Sequence, residues 1–256
     1  MKRGLLIYDS EGAKRNFWFI EQIIAISKER GLDVKLVTLP EACFEAADFA
    51  IVRAIAPEIN AKLESEGVRV FNNALTSKTA NDKWLTYLLC KRLGLPVMPT
   101  ALVGQVENAR YPIIVKSRSG HGGSEVFWVE GEEELSSYPK HYIAQEPCSE
   151  LGKDMRVYVV GGKIVYSVLR TANSGFKSNF CLGGSARLAE PDENQKRCVL
   201  KICDYLKPDF AAIDFIRHNG GWVVNEIEDA AGVRMLYDLK VCDFVKEYVN
   251  YIAEKL

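Results

Sequence analysis

The most constraining stretch of this chain lies near its C-terminus: Ala212-x-Asp214-x-Ile216, then Asn219-Gly220-Gly221, then Trp222 through Asn225-Glu226-Ile227-Glu228-Asp229. It reads as a β-hairpin, because Asn-Gly and Gly-Gly steps between two alternating runs supply the turn chemistry that tight hairpins need. Asp214 and Glu226 have an even separation, which pairs two residues across an odd loop, or across an even loop with a bulge. A three-residue Asn219-Gly220-Gly221 loop pairs Asp214 with Glu226 and Ala212 with Glu228. Side chains alternate with period two, so all three carboxylates fall on one face. Like charges directly opposite destabilise a sheet. A cation is therefore expected there, and hard carboxylate oxygens without His or Cys favour Mg²⁺ or Mn²⁺ over zinc. A solvated acidic strand face is the plainer alternative, and the residues upstream weigh against it.

Pro112-Ile113-Ile114-Val115-Lys116 is an apolar strand ending in a lysine, followed by the glycine-dense Ser117-Arg118-Ser119-Gly120-His121-Gly122-Gly123-Ser124. Such a backbone can turn successive N–H groups toward phosphate oxygens, with Lys116 as a point charge beside them. It is neither a Walker A loop nor the dinucleotide G-x-G-x-x-G, and alone it reads as a plain hairpin turn. A third cluster comprises Gln145-Glu146-Pro147-Cys148, Asp154-x-Arg156, Arg170, Phe176-Lys177-Ser178-Asn179 and Gly183-Gly184. Together, a lysine strand, a glycine loop, arginines and a carboxylate hairpin suit a nucleoside triphosphate held through its metal.

With 256 residues, 48% hydrophobic, 26% charged and a net charge of -1, the chain has material for one large or two modest globular domains. The balanced charge offers no basic field for nucleic acid. No apolar run reaches the ~18 residues needed to cross a bilayer, so no membrane partner is expected and a cytoplasmic location is. Seven scattered cysteines, with no C-x-x-C pair and three histidines, suggest buried thiols and neither disulfides nor zinc.

Up to about residue 72 the pattern is that of βαβ units, with strands at Leu5 to Tyr8, Val34 to Leu39, Phe49 to Arg53 and Val68 to Phe71. Gly31 and Gly67 stop the intervening helices and Pro57 opens the second. Asn81 is expected to cap a helix carrying Trp84, Leu85, Leu88, Leu89 and Leu93, ended by Gly94. Beyond it the grammar turns antiparallel, with strands Ile113 to Ser117, Glu125 to Val129, Met155 to Val160 and Lys163 to Leu169. A helix near Asp192 to Leu206, the carboxylate hairpin, and a last helix with Val241, Phe244, Val245, Tyr248 and Ile252 on one face complete the chain.

The order of these motifs resembles the ATP-grasp superfamily, in its RimK-like carboxylate–amine ligase group. The resemblance rests on Asn81-Asp82-Lys83, Tyr111 to Lys116 with Gly120-x-Gly122-Gly123, Gln145-Glu146, Asp154-x-Arg156, Lys177-Ser178-Asn179 with Gly183-Gly184, Asp214 and Asn225-Glu226-Ile227-Glu228. It implies an α/β (α+β) ATP-grasp fold: a pre-ATP-grasp α/β lobe over 1–72, then an ATP-grasp domain over 73–256 with a lid at about 110–147 and a C-terminal subdomain at about 148–256. It also implies ATP and two Mg²⁺ ions, with Mn²⁺ as a substitute. Lys83 and Lys116 would contact phosphates, with Gly120, Gly122 and Gly123 in the loop above them. Glu146 and Pro147 would grip the base, Asp154 would meet the ribose, and Lys177, Ser178 and Asn179 would line the triphosphate site. Arg156 and Arg170 would be the catalytic cations; Asp214, Glu226 and Glu228 would hold the metal. The implied reaction joins a small or peptide carboxylate to an amine through an acyl phosphate, in a protein that forms homo-oligomers in some relatives.

Two departures stand out. The family's Glu-x-Asn metal pair is Glu226-x-Glu228 here, and its Pro-Gly is Ala231-Gly232, followed by Arg234, a candidate reader of a substrate carboxylate. An ATP-grasp kinase acting on a hydroxyl, and a nucleotide-binding regulatory module without turnover, are the alternatives.

Overall fold

The computed structural model describes residues 1–40, 46–120, 125–172, 184–240 and 243–256. Its N-terminal part runs β1 (Lys2–Asp9), α1 (Ser10–Arg15), α2 (Phe17–Glu29), β2 (Leu32–Leu39), β3 (Phe49–Val52), α3 (Pro57–Ser65) and β4 (Arg69–Phe71). The strands make the expected parallel sheet, in the order β2-β1-β3-β4. Pro57 occupies the first turn of α3, where a missing N–H costs nothing.

Two helices, α4 (Ala74–Ala80) and α5 (Lys83–Arg92), connect this lobe to the rest. Asp82 caps α5, in place of the expected Asn81: its Oδ1 accepts from the backbone N–H of Trp84 at 2.9 Å and of Leu85 at 3.2 Å. Asn81 instead closes α4, donating from Nδ2 to the Ser77 carbonyl at 2.9 Å. The next elements are β5 (Thr100–Leu102), β6 (Ile113–Lys116), β7 (Val126–Val129), α6 (Glu132–Ser136) and β8 (Ile143–Gln145), an antiparallel sheet in the order β5-β8-β6-β7. This sheet takes in Thr100–Leu102, upstream of the lid start expected at about 110.

The largest sheet comes from β9 (Glu150–Val160), β10 (Lys163–Thr171), β11 (Ser185–Leu188), β12 (Phe210–His218) and β13 (Gly221–Glu228), in the order β11-β10-β9-β12-β13. Helix α7 (Glu193–Leu206) precedes β12, and α8 (Arg234–Asp238) and α9 (Phe244–Lys255) follow β13. Asp192 opens α7 through a reciprocal capping box with Gln195.

The two faces of this sheet differ, and the difference places the site. Met155, Val157, Val159, Ala211, Ile213, Phe215 and Ile227 pack with residues of α5 and α7 in one buried apolar cluster. On the opposite face Tyr158, Val160, Val168, Phe210 and Ala212 join the N-terminal lobe and α9 in a continuous core. Farther along the same strands that second face changes from apolar to charged, two residues on at Arg156, Arg170 and Asp214 and four on at Asp154.

Asn72 locks the lobe to the large sheet. Its Nδ2 donates to the Phe210 carbonyl at 2.5 Å, and its Oδ1 accepts from the backbone N–H of Asp209 at 2.6 Å and of Phe210 at 2.9 Å. Asn72→Ala strands buried backbone groups and is expected to cost about 2–4 kcal/mol, read as a lower midpoint of denaturant unfolding.

Candidate active site

The carboxylate hairpin forms with the expected pairing but a different loop. Ala212 faces Glu228 and Asp214 faces Glu226, while His218 faces Gly221, so the loop is the two-residue Asn219-Gly220. Both loop residues have positive φ, 50° and 76°. That is the type I′ geometry whose twist matches the flanking strands, so it wins over the three-residue loop. The parity is restored by an irregularity after Asp214: Phe215 pairs with Val224, which leaves Asn225 as the extra residue of a bulge. The bulge re-aims a side chain, since Asn225 Oδ1 accepts from Lys116 Nζ at 3.1 Å across to the lid sheet.

Asp214, Glu226 and Glu228 each present a carboxylate oxygen within 4.8 Å of the others. Neighbouring strands bring arginines to the same place. Arg156, opposite Asp214 on β9, forks onto it with Nε to Oδ1 at 2.8 Å and Nη2 to Oδ2 at 2.7 Å, and Nη2 also reaches Glu228 Oε1 at 2.6 Å. Arg170 on β10 donates to Asp214 Oδ2 at 2.7 Å and pairs through Nε with Asp154, its cross-strand neighbour. Burial alone would raise the Asp214 carboxyl, but the two guanidiniums outweigh it and hold it down at about 2. Glu228 is held above the usual carboxylate range, by burial first and by Asp214 and Glu226 beside it, against the pull of Arg156. A donor set of carboxylates alone fits a hard divalent cation.

Lysines approach from the other side. Lys83, the first residue of α5, lies 3.3 Å from Glu226 Oε2 and also donates to the Gly120 carbonyl in the lid loop. Its backbone N–H donates to Arg118 O at 2.9 Å, and Arg118 in turn pairs with Asp82. Burial pulls the Lys116 ammonium down to about 8, with Lys83 adding to the effect and Glu226 opposing it. The structure thus gathers Lys83, Lys116, Arg156, Arg170, Asp154, Asp214, Glu226 and Glu228.

Asp154 is buried, at 4% exposure, and committed to Arg170. Glu146 is exposed directly after β8 and Pro147 half-buried beside it. Arg234 opens α8, exposed, with Nη2 3.4 Å from the Arg15 carbonyl. Gly122, Gly123, Lys177, Ser178, Asn179 and Val241 lie outside the described residues. Cys90, Cys148, Cys198 and Cys203 are free thiols. Asn225, Arg118 and Asp82 stand in the motifs with no role assigned by the sequence, and the structure brings Asn225 to Lys116 and pairs Arg118 with Asp82.

A RimK-like ATP-grasp domain matches residues 80–252, most of the chain and all of the charged cluster. The chain belongs to the RimK-like ATP-grasp family. It is accordingly an ATP-dependent ligase of the carboxylate–amine class, in a family that uses ATP and magnesium. The glutamate–LysW ligase ArgX of Sulfolobus acidocaldarius is 29% identical over 230 residues, 80% of this chain and 81% of that protein. Beta-citrylglutamate synthase B of Danio rerio is 30% identical over 189 residues, 66% of this chain, which spans 47% of that protein's length. The D-alanine–D-alanine ligase of Bacillus anthracis superposes with a TM-score of 0.75 at 17% identity, covering 99% of this chain and 96% of that one, which establishes the shared fold. Among the described residues no helix of this RimK-like ligase is long and apolar enough to cross a membrane.

Proposed function

We propose that this protein forms an amide bond between a small or peptide carboxylate and an amine, with Asp214, Glu226 and Glu228 holding the metal of an ATP whose phosphates meet Lys83 and Lys116. The observation that carries the reading is the convergence of three carboxylate oxygens within 4.8 Å, with Lys83 and Lys116 contacting the same strand that supplies two of them. Charge supports two ions. Lys83, Lys116, Arg156 and Arg170 balance Asp154, Asp214, Glu226 and Glu228, and an ATP tetra-anion with two divalent cations adds no net charge to that balance. Bound Mg²⁺ would supply Lewis-acid neutralisation of the triphosphate oxygens.

The substrate carboxylate attacks the γ-phosphorus in line, the bond to the β,γ-bridging oxygen breaks, and ADP leaves. The amine then attacks the acyl carbon, loses a proton and expels inorganic phosphate. On this reading Arg156 and Arg170 would meet charge developing on the transferred group, and no covalent enzyme intermediate is required. The lid sheet, tied to Lys83 through the Gly120 carbonyl and to β13 through Lys116, would exclude water from the acyl phosphate. ArgX and beta-citrylglutamate synthase are both named for glutamate, which makes glutamate the first amine to try.

A coupled ADP-release screen of amino acids, small acids and peptides tests this. ADP formation that needs both an acid and an amine is expected. Phosphoryl transfer from ATP onto a hydroxyl, with ADP released, would instead make the protein a kinase, and tight ATP binding with no turnover across the panel would make it a regulatory module, the reading that Glu228 in the family's Asn position favours. A second check uses pH. The ammonium of Lys116 is lost as pH rises through about 8, so affinity for metal-free ATP should fall between about pH 7 and pH 9 in the wild type and stay flat in Lys116→Met.

A further inference from the structure

The segment after Glu228 leaves the sheet, so its backbone carbonyls need donors from elsewhere. Arg53 supplies them. It is the first residue past β3 in the N-terminal lobe, 8% exposed, and its side chain crosses to donate from Nη1 to the Asp229 carbonyl at 3.3 Å and from Nη2 to the Ala231 carbonyl at 2.7 Å. The guanidinium carbon lies 5.2 Å from the Phe19 ring centroid on α2 and 5.0 Å from that of Phe210 on β12. The same segment is held from two more sides. The Asp229 carboxyl is held above its ordinary range by burial, with Ser77 and Asn81 of the α4 end and Arg53 favouring its charged form, and the Tyr158 hydroxyl donates to the Gly232 carbonyl at 2.9 Å.

We infer that Arg53 is a positioning residue for the metal site, fixing the backbone that follows Glu228 and thereby the aim of the Glu228 carboxylate. The inference rests on the reading that Asp214, Glu226 and Glu228 hold the metal. Arg53 touches none of those carboxylates; it acts through the Asp229 and Ala231 carbonyls. Its geometry explains why the position calls for arginine. One planar fork reaches two carbonyls two residues apart while its flat faces meet aromatic rings, whereas a lysine offers a single point of donation. The N-terminal lobe, which contributes none of the three carboxylates, is in this way made part of the metal site.

The test is a Mn²⁺ titration of the full chain, followed by the electron paramagnetic resonance signal of free Mn²⁺, for the wild type, Arg53→Met and Arg53→Lys, each well below its melting temperature. Outer-shell losses typically cost 10–100-fold in metal affinity, so Arg53→Met should weaken Mn²⁺ binding by about tenfold or more, and Arg53→Lys by about threefold or more. Affinity for metal-free ADP should stay within about twofold in both, a split that general loosening of the fold would not produce. If Arg53→Met does not fold, Arg53→Lys decides. Mn²⁺ affinity equal to wild type in a folded variant overturns the inference while the metal reading stands; a wild-type protein that takes up no Mn²⁺, either alone or with ADP bound, overturns both.

Discussion

Glu226→Gln is expected to abolish ADP formation, lowering kcat by on the order of a thousandfold, while the protein stays folded. The asymmetry follows from where Glu226 sits. Its side chain is 24% exposed and its ionic partner Lys83 stands at 3.3 Å, so removing the charge costs the fold only about 0–1 kcal/mol. The same oxygen is one of three that converge within 4.8 Å, and the substitution takes away a third of the anionic donor set. Parallel ADP-release and thermal-unfolding measurements separate the two effects. A Glu226→Gln protein with near-normal turnover would remove the metal role, and one that unfolds would make Glu226 structural.

Asp214→Asn should behave in the opposite sense, failing first as a fold. Asp214 is 2% exposed and takes three charged hydrogen bonds, two from Arg156 and one from Arg170, both buried. Deleting one member of a buried ionic network leaves charges without compensation and typically costs about 3–5 kcal/mol. Denaturant unfolding at neutral pH checks the size of the loss. The pH dependence checks its cause. The folded carboxyl is held down at about 2, below the unfolded value of about 3.9, so its stabilisation is fully present above about pH 4 and is lost as pH falls through about 2. The wild type should therefore lose stability across that acid window by more than Asp214→Asn does. Parallel acid curves would show that the arginine pairs are not what holds this sheet face together.

Much of this architecture could be read in the sequence because it is written locally. Pro57, Gly31 and Gly67 mark helix ends, and the even Asp214–Glu226 spacing puts the carboxylates on one face across an odd loop or, as here, across a two-residue loop with a bulge. The misses are where local rules are silent or ambiguous. Asn81 and Asp82 are both good caps, and only the final geometry decides which one does which task. Helix α4, Ala-Leu-Thr-Ser-Lys-Thr-Ala, buries Thr76, Ser77 and Thr79 and so shows no apolar stripe. The strand Thr100–Leu102 is too short for a period to register. Arg53, Asn72 and the pairing of Arg156 with Asp214 join residues 58 to 178 positions apart, and contacts of that range leave no spacing signature. The resemblance could place Arg156 near the reaction; it could not show that Arg156 and Arg170 neutralise the very carboxylates expected to bind metal.

The most direct test of the whole account is calorimetric titration of ATP into the wild-type protein with magnesium and with a chelator, repeated on Glu226→Gln. Tight uptake that depends on magnesium is expected in the wild type, and a loss of that dependence in the variant. Equal affinity with and without magnesium, or a variant that binds magnesium–ATP as the wild type does, would contradict it.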